Sequence, residues 1–524
     1  MYRATRAIAT VAASCLPLLA AVGPAFGSKP LGPESETPEE SADASSDEFP
    51  LKLEYRLWGE SNDRSFFAGE SPTRTSSSES LHQRLRVSFH ESVGQFEGTV
   101  EADFAAGRLA GDAAAPPPPG VTPGTNSVGR AWSGTDNLVH PRQAYVEYRS
   151  ESFGQLSLGL QTSDWGLGLL ANGGASSREQ LFNQDFGGDR SFRAMFGTKP
   201  LLLLTDTTFA KNLITAVGGD IVYRDENAAL REGDFARQAV FAMLYDTEAT
   251  KGGTYITYRR QDDRDGDFLE ALAVDFYGEH EWESENGWHY RAGAETVFIS
   301  GKTNRTLVKP EGKPIGLRAW GAASELEVGY RPARLTLHLD SGYASGDGNL
   351  EDDTLTRFRF DPNYDVGLVL YDHYIPSATR ASYRRLSDPV RSGEPPKGSG
   401  GFVNGGALAN TFYLNPELTF GKREGLTTGI GVLRAWSAQP FLDPFRTFEN
   451  GGHPVGITGR SPASRDLGWE FDLSARYRHP LDLGPVIELK TEYGVLFPGD
   501  AFRQQGAPEP PPHSALRARL QFEW

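Results

Sequence analysis

The chain has 524 residues, of which 38% are hydrophobic and 23% charged, with a formal net charge of -17 and a single cysteine. Its mean hydropathy is -0.45, and no apolar run approaches the roughly 20 residues that a spanning helix needs, which excludes a helical membrane protein. A large β-barrel remains compatible with these figures, because only alternate residues of a barrel strand face lipid.

The first residues predict an export signal. Arg3 and Arg6 precede an apolar stretch over residues 7–22, and residues 25–27 (Ala-Phe-Gly) offer a small-x-small cleavage pattern. Cys15, the single cysteine, lies within this segment. We therefore expect a mature chain without disulfides or cysteine-metal chemistry, and we favour a cleaved signal over a lipoprotein.

Three regions follow from composition. Residues 1–27 are the predicted signal peptide. Residues 28–50 are acidic and contain proline, a composition typical of a disordered segment. Residues 51–524 are predicted to form one outer-membrane β-barrel.

Apolar and polar residues alternate from residue 51 to the end, over segments of about ten residues. Near the end, Trp469, Phe471 and Leu473 share a face opposite Glu470 and Asp472. Such segments, with aromatic residues at their ends, are typical of a transmembrane antiparallel up-and-down barrel. About eighteen strands can be placed, near residues 51–57, 81–89, 96–104, 141–150, 153–162, 190–200, 212–224, 236–247, 252–262, 268–281, 287–300, 316–330, 333–344, 409–421, 425–437, 469–478, 487–497 and 516–524.

The connections between these segments alternate in length. Those after even-numbered strands are mostly short, whereas residues 105–140, 163–189, 345–408, 438–466 and 498–513 fall after odd-numbered strands. Short periplasmic turns and long outer loops produce this asymmetry. Residues 345–408 form the longest connection and are long enough to fold over or into the lumen.

Two paired segments, residues 142–148 (RQAYVEY) and 154–161 (GQLSLGLQ), resemble the alginate-export type of outer-membrane porin. Residues 164–172, 342–347 and 493–500 are similar to a less characterised Gram-negative branch of such barrels. The resemblance implies an eighteen-stranded monomeric barrel that conducts an anionic polysaccharide or small solutes. The alginate-export type commonly has an arginine where this chain has Leu160, which leaves both kinds of solute open.

Basic residues on the polar faces are candidates for lining the lumen. Arginine suits carboxylate or phosphate groups because its planar fork is bidentate. Arg84 and Arg86, on the second strand, and Arg517 and Arg519, on the last, are expected to lie near one another across the closing seam. The alternative is that carboxylates on adjacent strands, at Glu97, Glu101, Glu488 and Glu492, pair with them. The candidates are His82, Arg84, Arg86, Arg142, Arg149, Arg476, Arg478, Arg517 and Arg519.

Two acidic loops suggest a hard cation such as Ca²⁺, which prefers clustered carboxylates. A solvated acidic rim is the alternative interpretation of both loops, because neither has the spacing of a dedicated calcium loop. The first loop contains Asp347, Asn349, Glu351, Asp352 and Asp353, and the second Asp262, Asp263, Asp265 and Asp267.

No catalytic motif stands out, since the sequence lacks a Gly-x-Ser-x-Gly elbow, a His-Glu-x-x-His pair and a phosphate loop. We expect a passive channel without a cofactor, embedded in outer-membrane lipid, with no nucleic-acid partner. Phe522 and Trp524 are expected to be recognised during insertion by the barrel-assembly machinery. A loop-based binding, adhesive or enzymatic role is the alternative function.

Overall fold

The computed structural model describes most of the chain from residue 50 onward. The described residues are 50–63, 77–112, 139–150, 154–174, 182, 187–305, 313–349, 352–386, 390, 404, 406–422, 424–450, 453, 455–456, 464–481, 484–503 and 509–524. The predicted signal peptide and all of the acidic segment before residue 50 lie outside them.

Nineteen strands form a single sheet that closes on itself. Eighteen form the wall, each pairing antiparallel with the next, and β19 returns to pair with β1. The two-residue strand β14 (Thr354–Leu355) instead adds a parallel pairing to β12 inside the longest connection. The predicted eighteen-stranded antiparallel barrel is therefore confirmed.

The wall strands are β1 (Leu51–Asp63), β2 (Ser77–Val93), β3 (Phe96–Gly111), β4 (Val139–Ser150), β5 (Gly154–Thr162), β6 (Arg190–Thr198), β7 (Leu213–Arg224), β8 (Phe235–Asp246), β9 (Thr250–Asp262), β10 (Phe268–Glu283), β11 (Trp288–Thr303), β12 (Ile315–Tyr330), β13 (Leu335–Ala344), β15 (Thr411–Gly421), β16 (Gly425–Ser437), β17 (Asp466–Pro480), β18 (Val486–Pro498) and β19 (His513–Glu523).

The two faces of the wall differ as the alternation predicts. On β17, Trp469 is 48% exposed and Leu473 52%, whereas Glu470 and Asp472 between them are 0% and 1% exposed. Large apolar side chains are exposed in the same way on the outer face around the barrel, among them Phe241, Phe298 and Leu489. An apolar outer surface over a polar interior is the arrangement of a barrel whose wall faces lipid.

The predicted alternation of connection lengths holds, with one exception. The turns between β2 and β3, β4 and β5, and β15 and β16 span only a few residues. Between β6 and β7 the chain instead forms a 3-10 turn at Pro200–Leu203 and a helix at Thr208–Asn212. The ring of Phe209 in that helix stacks on Tyr245 of β8 at 5.4 Å, so the insertion packs against the end of the wall.

Backbone hydrogen bonds close the seam between the first and last strands. Leu53 N donates to Trp524 O at 3.1 Å, and Trp524 N donates to Leu53 O at 2.9 Å. Phe522 lies opposite Tyr55, and its ring stacks on Trp524 at 5.8 Å. The seam therefore has no open edge at this end of the barrel.

An apolar core lies inside the barrel rather than between sheets. It combines the connection after β13 with parts of the connections after β5, β16 and β18 and with small inward-facing wall residues. The connection after β13 supplies the largest share, including the helix Ile375–Leu386. Its buried side chains include Phe358, Phe360, Tyr364, Leu368, Leu370, Tyr371 and Tyr374.

The described part of the chain has no helix with the length and apolar character required to span a bilayer.

Candidate functional site

Two connections are held inside the barrel by single wall carboxylates. Glu295 on β11 accepts hydrogen bonds from three successive backbone amides, those of Leu167, Gly168 at 3.0 Å and Leu169 at 3.1 Å. Gly166 adopts φ +61, and a Cβ there would lie 2.5 Å from Glu295 Oε2. The turn therefore requires glycine, and we call this contact the Glu295 clasp.

A second wall carboxylate holds the other connection in the same way. Glu470 on β17 accepts from the amides of Leu368 at 2.6 Å, Val369 at 2.7 Å and Leu370 at 2.7 Å. Gly367 precedes them at φ +70, and a Cβ there would lie 2.9 Å from Glu470 Oε1. We call this contact the Glu470 clasp.

The two inward connections also contact each other. Asp361 N, in the connection after β13, donates to Leu169 O at 2.8 Å. Ser345 O accepts from Phe358 N at 2.9 Å. These bonds fix the stretch between Phe358 and Asp361 beside the Glu295 clasp, where it forms one side of a cavity.

The cavity has a volume of about 280 Å³ and lies between these connections and the inner faces of β6 and β8–β12. Its wall side has an apolar part and a polar part: the apolar part is formed by Leu269, Ala271, Ala273, Ile299, Leu317 and Ala319, and the polar part includes Gln238, Thr257 and Thr303. Its opposite side carries charges of both signs. The volume is near the lower end of the roughly 300–1,000 Å³ range of small-molecule pockets.

Two of the four arginines at the cavity are held by carboxylates. Arg259 pairs with Asp225, its Nη2 lying 3.3 Å from Asp225 Oδ1, and its Nε donates to Gln261 at 2.9 Å. Arg305 pairs with Asp263 at 2.6 Å. Their charges are therefore largely compensated inside the protein.

Arg357 and Arg359 supply the remaining basic groups of the cavity. Burial lowers the pKa of Arg357 to about 10, and the neighbouring Arg359 guanidinium acts in the same direction. Burial also lowers the pKa of Arg359, against the opposing effect of Glu226. Within the described residues, Arg359 forms no ion pair. At neutral pH the cavity therefore offers a guanidinium that forms no ion pair with a described side chain, although the charges of Glu226 and Asp361 act on it.

Three carboxylates meet at the acidic part of the cavity. Asp189 precedes β6, Glu226 follows β7 and Asp361 lies in the connection after β13, and one oxygen of each lies within 4.8 Å of the other two. Burial, together with the charge of Asp225, raises the pKa of Glu226 to about 7. Burial and the charge of Glu226 raise the pKa of Asp361 well above its usual range.

The basic residues proposed from sequence occupy other parts of the inner wall, where carboxylates accompany them. Arg142 binds Glu101 at 2.6 Å, and Arg149 lies 3.2 Å from Glu97. His82 is 4% exposed and stacks on Trp58 at 5.2 Å. The two ion pairs match the alternative interpretation, in which carboxylates on adjacent strands pair with the basic residues.

The four seam arginines lie on β2 and β19, the two strands that flank β1, and each has a carboxylate beside it. The pairs are Arg84 with Glu54, Arg86 with Asp103 at 2.7 Å, Arg517 with Glu492 at 2.6 Å and Arg519 with Glu488 at 2.6 Å. On β17, Arg478 binds Glu523 at 2.8 Å, and Arg476 is half-buried near Glu488. The described side chains at the seam therefore form ion pairs rather than a field of uncompensated positive charge.

The carboxylates of the two predicted cation loops serve turns. Asp347 accepts from Asn349 N at 3.0 Å, and Asp352 accepts from Thr354 N at 3.0 Å. In the second loop Asp265 accepts from Asp267 N at 3.1 Å. Glu351 lies outside the described residues, and Asp353 belongs to the same turn without joining the three-carboxylate group at the cavity.

Sequence reasoning missed the residues that surround the cavity. Residues 357–361 read Arg-Phe-Arg-Phe-Asp, a strict alternation inside a long connection, and this was the available signal. Phe358 and Phe360 are buried at 1% and 0% exposure, and the charged residues that alternate with them, Arg357, Arg359 and Asp361, line the cavity. Asp189 and Glu226 carry no comparable local signal, because only the closed barrel brings them together.

No protein-family model and no curated protein matches the chain. Among solved structures, Acinetobacter baumannii OccAB2 has a TM-score of 0.49 at 10% identity, covering 90% of this chain and 98% of that chain. Pseudomonas aeruginosa OpdQ has a TM-score of 0.46 at 10% identity, covering 90% and 96%. The outer membrane protein opdK from Pseudomonas aeruginosa has a TM-score of 0.45 at 11% identity, covering 90% and 98%. Similarity at this level assigns neither a family nor a substrate, and the resemblance to alginate-export porins stays a prediction.

Proposed function

We propose that the protein is a passive channel of a Gram-negative outer membrane that passes small solutes and favours small organic anions. The observation that carries this proposal is the cavity, in which an apolar wall faces Arg357 and Arg359. A guanidinium binds a carboxylate through two parallel hydrogen bonds. An apolar surface opposite it accommodates the hydrocarbon part of the same molecule.

The wall supports the membrane location. Its outer face is apolar, its inner face is polar, and it closes without an open edge, which are the conditions for spanning a bilayer with strands. Barrels of 16–18 strands leave an aqueous interior. The partners that follow are outer-membrane lipid and, during insertion, the barrel-assembly machinery, and we propose a monomer.

The inward connections favour small solutes over a polysaccharide. Both are held by clasps of three hydrogen bonds to a buried carboxylate. The cavity beside them, at about 280 Å³, accommodates one small molecule. A polymer chain would require both connections to leave the lumen.

Reversal potentials across planar bilayers in a KCl gradient test the role of Arg359. We expect anion preference, reduced by Arg359→Gln roughly threefold, because a unit charge about 7 Å from a permeating ion in water contributes about 0.6 kcal/mol. Arg149→Gln is the matched control, since that side chain is 61% exposed and lies away from the cavity. A cation-selective wild type that Arg359→Gln leaves unchanged would contradict the proposal.

Proteoliposome swelling tests solute size. A monomeric uronate is expected to enter and an oligomer of four or more uronates to be excluded. Equal entry of both would favour polymer export instead, and exclusion of both, together with no bilayer conductance, would favour a binding or adhesive role for the outer loops.

A further inference from the structure

The three carboxylates at the cavity have the spacing of ligands around one metal ion. One oxygen from each of Asp189, Glu226 and Asp361 lies within 4.8 Å of the others. Calcium binds oxygen at about 2.3–2.6 Å, so two ligands on opposite sides of the ion are about 4.6–5.2 Å apart. Magnesium demands a near-ideal octahedron at about 2.0–2.1 Å and usually retains several waters, so three carboxylates from separate connections suit the more flexible coordination of calcium.

Two of these carboxylates also have buried oxygens without a donor. Asp361 is 3% exposed, and its Oδ1 accepts from Asn363 N at 2.7 Å and from Asn363 Nδ2 at 2.8 Å. Its Oδ2 accepts no hydrogen bond from the part of the chain that the structure describes, and the same holds for Asp189 Oδ1. A buried carboxylate oxygen without a donor or a cation is costly, so these atoms point to a missing ligand.

The charges on and around the three carboxylates sum to -2, so two positive charges are missing. The nearby Asp225 is occupied by Arg259, and Arg305 by Asp263. Of the groups that act directly on Glu226 and Asp361, Arg359 is the cation that remains. Three carboxylates and one guanidinium sum to -2 when all are ionised, which one divalent cation balances.

We propose that Asp189, Glu226 and Asp361 form a binding site for a divalent cation of the size of Ca²⁺. The ligands come from the connections after β5, β7 and β13, so the ion ties together three segments that otherwise meet only through side chains and a few backbone bonds. Water completes the coordination, because three protein oxygens are fewer than the six to eight that Ca²⁺ takes. This site is distinct from the acidic loop at Asp347.

Calorimetry with CaCl₂ on the full barrel in detergent, after treatment with a chelator, tests the proposal. We expect one site per chain, a higher thermal midpoint with Ca²⁺ than with Mg²⁺, and at least a tenfold weaker affinity in Asp361→Asn. Glu226→Gln provides a second variant if Asp361→Asn folds poorly. Asp353→Asn is the matched control, since it removes one carboxylate from the other acidic loop and should bind as the wild type does.

Terbium luminescence gives a second readout. Tyr255 lines the cavity, and Trp165 stacks on it at 5.5 Å, so bound Tb³⁺ should be sensitised by these rings and displaced by Ca²⁺. A wild type that shows no heat, no thermal shift and no sensitised emission would overturn the proposal. Loss of binding in Asp353→Asn with retention in Asp361→Asn would overturn it as well. Binding is measured without ion flow, so it stands or fails separately from the channel proposal.

Discussion

At the scale of single residues, the inner face of the barrel consists largely of paired charges rather than freely hydrated ones. Arg193 and Asp220 show this most completely, with two hydrogen bonds between them at 2.8 and 2.7 Å and a third from Arg193 to Ser163 at 2.6 Å. Arg193 is 8% exposed and Asp220 4%. Such a pair is neutral as a unit. Removal of one partner leaves the other as a buried charge without compensation.

Asp220→Ala should therefore destabilise the barrel by about 3–5 kcal/mol, because it leaves the Arg193 guanidinium buried and without its carboxylate. The double variant Arg193→Met/Asp220→Leu should recover most of that loss. Reversible urea unfolding in liposomes measures both. If the double variant is as unstable as the single one, the cost lies in packing rather than in the unpaired charge.

At the scale of elements, the wall and the connections obey different rules. The clasps at Glu295 and Glu470 hold connections through backbone amides, so their strength depends on one wall side chain and on a local chain path that requires Gly166 and Gly367. A typical intramolecular hydrogen bond contributes about 0.5–1.5 kcal/mol to stability.

Glu295→Gln should loosen the connection after β5 while leaving the wall closed. An amide side chain presents one acceptor oxygen in place of the two that accept from these amides, so hydrogen exchange at Leu167, Gly168 and Leu169 should accelerate by about tenfold or more, equivalent to at least about 1.4 kcal/mol. Glu270→Gln is the control, because Glu270 lies on the opposite face of the wall and pairs with the half-exposed Lys302. Equal acceleration in both variants would mean that the clasp does not hold the connection.

The strands could be predicted from sequence and the cavity could not, for a physical reason. Lipid on one side and polar groups on the other impose a period of two on every wall strand. The neighbouring residues in sequence are therefore enough to predict that Trp469 faces outward and Glu470 inward. The position of Arg359 depends instead on Gly166, Gly367 and two carboxylates far away in sequence. Ion pairing between neighbouring strands, such as Arg517 with Glu492, could be predicted as the alternative to a free basic lumen. The pairing of two strands determines which of their residues lie opposite each other.

At the scale of the whole molecule, the barrel depends on its last strand. Glu523 pairs with Val486 on one side and with Glu54 on the other, and Trp524 exchanges two backbone bonds with Leu53. Removing the end of this strand would leave unpaired backbone groups of β1 and β18 facing lipid, where water cannot satisfy them.

Deletion of residues 522–524 should therefore abolish most of the heat-modifiable barrel recovered from the outer membrane. The double substitution Phe522→Leu/Trp524→Phe keeps the backbone pairs and should be recovered in far larger amount than the deletion. Electrophoresis of heated and unheated membrane fractions measures both. Normal recovery of the deletion variant would show that closure at this end is dispensable.

The clasps also set an order of events in time. Glu295 lies 126 to 128 residues beyond the amides it holds, and Glu470 lies 100 to 102 residues beyond its own. Each connection is thus made long before its acceptor, and its clasp forms only once β11 or β17 has joined the wall. We therefore expect the two inward connections to reach their final positions inside the barrel only in the last stages of folding.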